Sequence, residues 1–297
     1  MRHCPSSLRK ENFIKTTSAL LDRKLRKIIP SLSLLTYKLP FKIFVNGMDI
    51  LPNWLCPQFR KLPPNHLRIR VGVGNNLFAN QHLYLSTHSF WTYCLTEKLV
   101  TLDSNIVDIG CGCGRFAHPL RDYNFKGSRF RGKYTGVDID PELLQWCSEN
   151  FDADRFQFAH STHASKSYQQ AGSATSYALP VESGSIDFIF STSLFTHLLE
   201  PELRNYYEES FRALKPGGHM FMFCFCLDHP PSTMGTRHTF SHAIGNARVE
   251  SLKVPEAAVA YSESFLVELA QSVGFRSAKM IGLTSEDDLQ AILVAEK

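Results

Sequence analysis

Nine consecutive residues, Val107-Asp108-Ile109-Gly110-Cys111-Gly112-Cys113-Gly114-Arg115, hold the densest chemical signal in this 297-residue chain. Glycines at alternate positions after an apolar run let the backbone turn sharply and approach a ligand closely. A helix starting just beyond adds unpaired N–H groups suited to an anionic group. No G-K-[ST] follows, which excludes a P-loop, and the spacing is not G-x-G-x-x-G, which disfavours a dinucleotide dehydrogenase. Twenty-four residues past Gly114, Gly136-Val137-Asp138 ends a second apolar run with a carboxylate where two ribose hydroxyls would donate. The competing role for Asp138 is a structural cap. Further on, Ser191-Thr192-Ser193-Leu194-Phe195-Thr196-His197 ends in an imidazole that can titrate near neutrality, so His197 is the best candidate general base. Its competing role is to bond backbone and shape a pocket. His160, His163 and Tyr261 are weaker candidates for the base.

These residues need strands and helices to hold them, and the pattern from 105 onward supplies both. Ile106–Ile109 reads as a short buried strand, followed by the glycine loop and a helix near 114–121. Tyr134–Asp138 is the next strand, then a helix from Pro141 that Asp140 can cap. Strands are expected at Phe156–Ala159, Ile186–Phe190 and Met220–Leu227, and near 276–282 and 289–295. A helix over about 200–214 should stop at Lys215-Pro216-Gly217-Gly218, and another over 262–273 has Ser262 as cap. Strand–helix alternation of this kind implies a parallel, doubly wound α/β sheet. The stretch 228–258 reads as one long irregular loop, either a lid or specificity element or a solvated surface excursion. It carries His229, Arg237, His238, His242 and Arg248, candidates for an anionic substrate group.

Before this region, Thr17–Ile29 reads as a basic amphipathic helix stopped by Pro30. It is expected either to pack on the globule or to meet an acidic membrane surface or nucleic acid. Six prolines between 30 and 65 suggest irregular chain, and a helix over about 80–98 should turn Phe90, Trp91, Cys94 and Leu95 toward a core.

Four strings together, VDIGCGCGR, YTGVDIDPELLQWC, ALPVESGSIDFIFSTSLFTHL and RALKPGGHMF, resemble the class I S-adenosylmethionine (SAM)-dependent methyltransferases over roughly 100–227. PPNHLRIRVG at 63–72 and AVAYSESFLVELAQSVGF at 258–275 resemble a bacterial subgroup associated with small-molecule and glycan modification. The resemblance implies a Rossmann-like, seven-stranded, mostly parallel sheet with an antiparallel last strand, preceded by an N-terminal helical extension. It divides the chain into a basic extension at 1–80, part of a substrate lid, and a methyltransferase domain at 81–297. It also implies SAM as cofactor, with its methionine end over Gly110 and Gly112 and with Cys111 and Gly114 in the same loop. Asp108 would organise that loop, Asp138 would bind the ribose and Ile139 would flank the adenine. The family often has an Asp after the third strand, but this chain has His160-Ser161-Thr162-His163, so Ser161, Thr162 or a backbone group would take over that contact. Ser191 would stand beside the sulfonium. Neither the [DN]-P-P-[YF] of amino-methylating enzymes nor the Pro-Cys of cytosine C5 enzymes is present after strand four. The leading acceptor is therefore an oxygen or nitrogen of a small molecule or glycan. An RNA or protein methyltransferase that docks its substrate through the basic arm, and a non-catalytic SAM-binding module, are the alternatives.

Composition agrees with a globule. Residues are 43% hydrophobic and 20% charged, which excludes wholesale disorder. The net charge of +4 hides an asymmetry: residues 1–44 hold ten Lys/Arg against two Asp/Glu, and the remaining 253 hold 22 against 26. A basic arm thus precedes a mildly acidic body. No apolar run reaches the roughly 18–20 residues that span a bilayer. Eight cysteines form no dense framework, so reduced thiols of a cytoplasmic protein without a metal site are expected.

Overall fold

Ile106–Ile109 (β1) is buried at all four positions, as a central strand covered on both faces must be. A computed structural model describes residues 32–71, 87–161, 177–192, 194–230, 238–282 and 290–297. The chain forms two compact units, Met1–Phe90 and Trp91–Lys297. The expected helix at 17–29 lies outside the described residues.

In the second unit, β1 pairs in parallel with Tyr134–Asp138 (β2) and Ile186–Ser191 (β4). Phe156–His160 (β3) extends the sheet beyond β2, and Leu214–Cys226 (β5) extends it beyond β4. Five further strands follow: His242–Ile244 (β6), Ala247–Val249 (β7), Val259–Tyr261 (β8), Ser277–Ile281 (β9) and Ala291–Glu296 (β10). Strand β10 lies antiparallel between β5 and β9, which completes the order β3-β2-β1-β4-β5-β10-β9 with an antiparallel last strand. Among the described residues the sheet nevertheless has ten strands, not seven. Strand β5 is 13 residues long, and at its far end Phe225 and Cys226 pair with Ala260 and Tyr261 of β8. Strands β6 and β7 then form a hairpin that adds to β8. The stretch 228–258 is therefore partly ordered sheet, not one irregular loop. Its three-residue strands are too short for periodicity to show, although Gly245-Asn246 is a hairpin turn signal.

Lys215-Pro216-Gly217-Gly218 also differs from expectation. It begins β5 instead of separating a helix from a strand, and the register with β4 shifts there between Ile186 and Phe188. Gly217, at φ +79°, supplies the conformation that this irregularity needs.

Helices flank the strands. Thr87–Thr96 (α5) buries Trp91 and Cys94, and Trp91 packs edge-on to Phe190 with ring centroids 5.5 Å apart. Ala117–Asp122 (α6) follows the glycine loop. Pro141–Asn150 (α7) is capped by Asp140, whose side chain accepts from the Glu142 N–H. Glu200–Ala213 (α8) buries Leu203, Tyr206, Tyr207, Ser210 and Ala213, one face at helical spacing. Glu263–Val273 (α9) buries Leu266, Leu269 and Ala270 and has Ser262 as its cap.

In the first unit, the proline-rich stretch is helical, contrary to the irregular chain expected. Leu32–Leu35 (α1), Leu39–Gly47 (α2), Ile50–Leu55 (α3), a 3-10 turn at Pro57–Lys61 and Asn65–Arg68 (α4) follow one another. Pro40 and Pro57 sit in first turns, where no backbone N–H is lost. Residues 62–70 form its inner spine: Asn65, Leu67, Arg68 and Ile69 are almost fully buried. Asp49 accepts from the Asn65 N–H at 2.9 Å and from Arg68 Nη2 at 2.5 Å. Among the described residues, no helix is long and apolar enough to cross a membrane.

Candidate active site

The loop after β1 bends back over the sheet because its three glycines take positive φ: +82° at Gly110, +55° at Gly112 and +76° at Gly114. Gly110 and Cys111 both donate their N–H groups to the Val137 carbonyl, at 2.8 and 3.0 Å. Gly136 makes room beneath the loop, since a Cβ there would stand 2.8 Å from Cys111 Sγ and from the Phe158 ring. The thiols of Cys111, Cys113 and Cys147 are buried here, and burial pushes those of Cys111 and Cys147 well above the usual thiol range. The Cys111 side chain thus packs inward, and its N–H is already committed. Among the described residues, no three potential metal ligands converge.

Asp138 braces the loop from the side. Its Oδ2 accepts from the Gly112 N–H at 2.8 Å and its Oδ1 from the Asp140 N–H at 2.9 Å. Burial raises its pKa, and these N–H groups oppose the rise. The capping role is therefore present, while each carboxylate oxygen keeps a further lone pair. Asp108, on the floor of the site, is fully buried. Its Oδ2 accepts the Tyr134 hydroxyl, but Oδ1 has no hydrogen-bond partner among the described residues. Burial raises this carboxyl to about 7, against the pull of Tyr134 and the positive charge of Arg115.

Other candidate positions divide by their commitments. Ile139 is half-buried at the end of β2, and its carbonyl accepts from His160 Nε2 at 3.1 Å. Ser161 is buried, donates its N–H to the Asp138 carbonyl and hydrogen-bonds through its side chain with Tyr177 and Tyr206. Thr162 and His163 lie outside the described residues. Ser191 is fully buried and donates its hydroxyl to the Ile109 carbonyl at 2.7 Å, tying β4 to β1. Next to it, Thr192 Oγ1 accepts from Arg115 Nη2 at 3.3 Å. This link between the glycine loop and the exit of β4 was missed; an Arg directly after G-x-G-x-G was its only signal.

His197 closes a short 3-10 turn, Phe195–His197. Its Nδ1 lies 2.8 Å from the Glu256 carbonyl, and a carbonyl only accepts, so Nδ1 carries the proton. Burial lowers its pKa, which keeps the ring neutral at pH 7. Tyr261 is buried with its hydroxyl on the Leu198 carbonyl, a bracket for the same turn. Among the described residues, the cations of the 228–258 stretch do not gather. His229 pairs with Glu263 at 2.7 Å, His238 packs against Phe225 and Phe240, and Arg237 lies outside the described residues. His242 and Arg248 are exposed on the hairpin.

A family model described as "Methyltransferase domain" matches residues 107–222, from the strand before the glycine loop into β5. By that match, residues 107–222 are a methyltransferase domain. Malonyl-[acyl-carrier protein] O-methyltransferase of Hahella chejuensis is 27% identical over 129 residues, covering 42% of this chain and 39% of that protein. The chain thus spans about two fifths of the length of that curated relative. A SAM-dependent methyltransferase of Methanosarcina mazei is 19% identical with a TM-score of 0.45, covering 68% of this chain and 96% of that one. Another, from Aquifex aeolicus, is 17% identical with a TM-score of 0.41, covering 68% and 87%.

The residues present fit SAM, the cofactor that the sequence resemblance implies. The ligand carries an ammonium, a sulfonium and a ribose diol. The methyltransferase domain offers a buried carboxylate with one unpaired oxygen, a glycine loop without Cβ atoms to obstruct approach, and a second carboxylate with lone pairs to spare.

Proposed function

We propose that the chain transfers a methyl group from SAM to an oxygen or nitrogen of a small-molecule or glycan acceptor. The observation that carries the SAM-binding part of this reading is the unpaired Oδ1 of Asp108, a buried acceptor that a cationic ligand would satisfy. Bound SAM supplies an electrophilic methyl on a sulfonium, so rate comes mainly from alignment and exclusion of water. Asp108 is assigned to the ammonium, Gly110 and Gly112 to the methionine end, and Gly114 to the close packing of the loop on Phe151. Asp138 takes the ribose diol, Ile139 flanks the adenine, and Ser161 forms the far wall of the adenine site. Cys111 and Ser191 support the loop and β4 through the bonds that already occupy them. An oxygen acceptor is favoured, because the curated relative is an O-methyltransferase.

The Asp108 assignment has a pH signature. In the free protein its carboxyl is protonated below about 7, whereas a cation favours the carboxylate. SAM affinity is expected to rise with pH toward about 7 and then level off, by up to ~10-fold per pH unit on the rising limb. Calorimetry in buffers of different ionisation enthalpy should find a proton released on binding below that pH. Asp108→Asn should abolish the proton release. Proton-independent binding by the unaltered protein would remove Asp108 from the ammonium.

His197 is assigned as general base, its Nδ1–H oriented by Glu256 and Nε2 left to take the acceptor's proton. His197→Ala and His197→Asn should each lower turnover by more than ~10-fold, with SAM affinity intact. Restored turnover in His197→Asn, whose amide can still donate to Glu256, would make His197 a positioning residue. Labelled SAM incubated with size-fractionated extracts tests the acceptor class. Label confined to RNA or protein would overturn the small-molecule or glycan reading.

A further inference from the structure

The first unit buries polar groups and exposes apolar ones. Nine of the twelve large apolar side chains exposed among the described residues lie between Leu34 and Leu55. In α2, Leu39, Ile43 and Phe44 face outward, while Val45 turns inward against Ile69. Helix α3 buries no residue at all, and Ile50, Leu51, Trp54 and Leu55 are each 62–72% exposed. This face is not an unfinished core. Its inner side is held by the Asp49–Arg68 pair and by Asn65 Nδ2 donating to the Val45 carbonyl at 3.0 Å, so the helices are pinned with their apolar sides out. A cluster of this size marks an interaction surface.

Charge identifies the occupant. Between Leu32 and Val71 the only carboxylate is Asp49, buried against Arg68, whereas Lys38, Arg60 and Lys61 are exposed. Residues 1–31 add eight Lys/Arg against two Asp/Glu. An apolar face rimmed by cations and free of exposed carboxylates repels a second copy of itself and suits an anionic lipid surface. Nucleic acid would use the cations but leave the apolar face in water. With α2 and α3 far too short to span, the geometry points to an interfacial docking face, built from α2 and α3, that seats this unit on an anionic bilayer. Trp54 and Phe44 enter the headgroup boundary, and Lys38, Arg60 and Lys61 meet lipid phosphates. The inference does not depend on the methyl-transfer reading.

Flotation of the full chain with phosphatidylcholine vesicles, with and without phosphatidylglycerol, tests it. Binding should require phosphatidylglycerol, weaken with salt, and bring Trp54 within quenching range of brominated acyl chains. The double variant Ile43→Ser/Trp54→Ser should lose at least ~10-fold in partitioning. Its circular dichroism and SAM affinity should not change, because both side chains are exposed. Leu252→Ser, an exposed apolar position in the other unit, should bind as the unaltered chain does. Three results would overturn the proposal: no flotation at low salt, undiminished flotation of the double variant, or a dimer that this variant dissociates without any vesicle binding.

Discussion

Replacing Asp138 by alanine is expected to lower SAM affinity by at least ~100-fold and stability by about 2–4 kcal/mol. Both effects come from one carboxylate. It already accepts from the Gly112 and Asp140 N–H groups, and its remaining lone pairs are those assigned to the ribose diol. Removing it strands two N–H donors in a largely buried site and frees the glycine loop from its lateral brace. Each bond to a charged acceptor contributes about 1.5–3 kcal/mol, so losing two ribose contacts accounts for the binding change. Asp138→Asn keeps the shape and one acceptor oxygen and should fall between the two. Calorimetric titration with SAM and urea denaturation read the two effects separately. Unchanged affinity would detach Asp138 from the ribose, and unchanged stability would detach it from the loop.

Gly132→Ala is expected to destabilise the second unit by about 3 kcal/mol or more, because it makes the tightest Cβ overlap among the described glycines. A Cβ at Gly132 would stand 2.0 Å from the Ser104 carbonyl oxygen and within 3 Å of two more backbone carbons, Ser104 C and Asp103 C. No rotamer change relieves an overlap between backbones. Gly132 and Arg131 also donate their N–H groups to the Leu102 carbonyl, so the crossing that leads into β1 and β2 would have to open. Gly47→Ala, where nothing lies within 4 Å, is the control and should leave the urea midpoint close to that of the unaltered protein. An equal midpoint for Gly132→Ala would show that the two segments separate freely there.

The glycine loop and the positions of the main strands were legible because each is a local demand. Three positive φ angles need glycine wherever the chain goes next, and the buried strands β1, β4 and β5 write themselves as apolar runs. The caps at Asp140 and Ser262 were legible for the same reason, since donor and acceptor lie within three residues. Short elements were not. The hairpin of β6 and β7 has three residues per strand, below the length at which alternation becomes visible, and the helices between 32 and 68 were masked by prolines that occupy harmless first turns.

By itself, then, the sequence determined a doubly wound sheet with a nucleotide-type loop and an acidic residue at the end of its second strand. Tertiary structure alone decided how each polar atom is spent. Ser191 finds Ile109, His197 finds Glu256 and Arg115 finds Thr192 across separations of 59–82 residues, while Asp108 is left with one oxygen unpaired. Only the folded chain also shows that the apolar residues of 39–55 face outward. Hydrogen bonding and burial depend on which distant segment arrives as neighbour, and residue spacing carries no record of that.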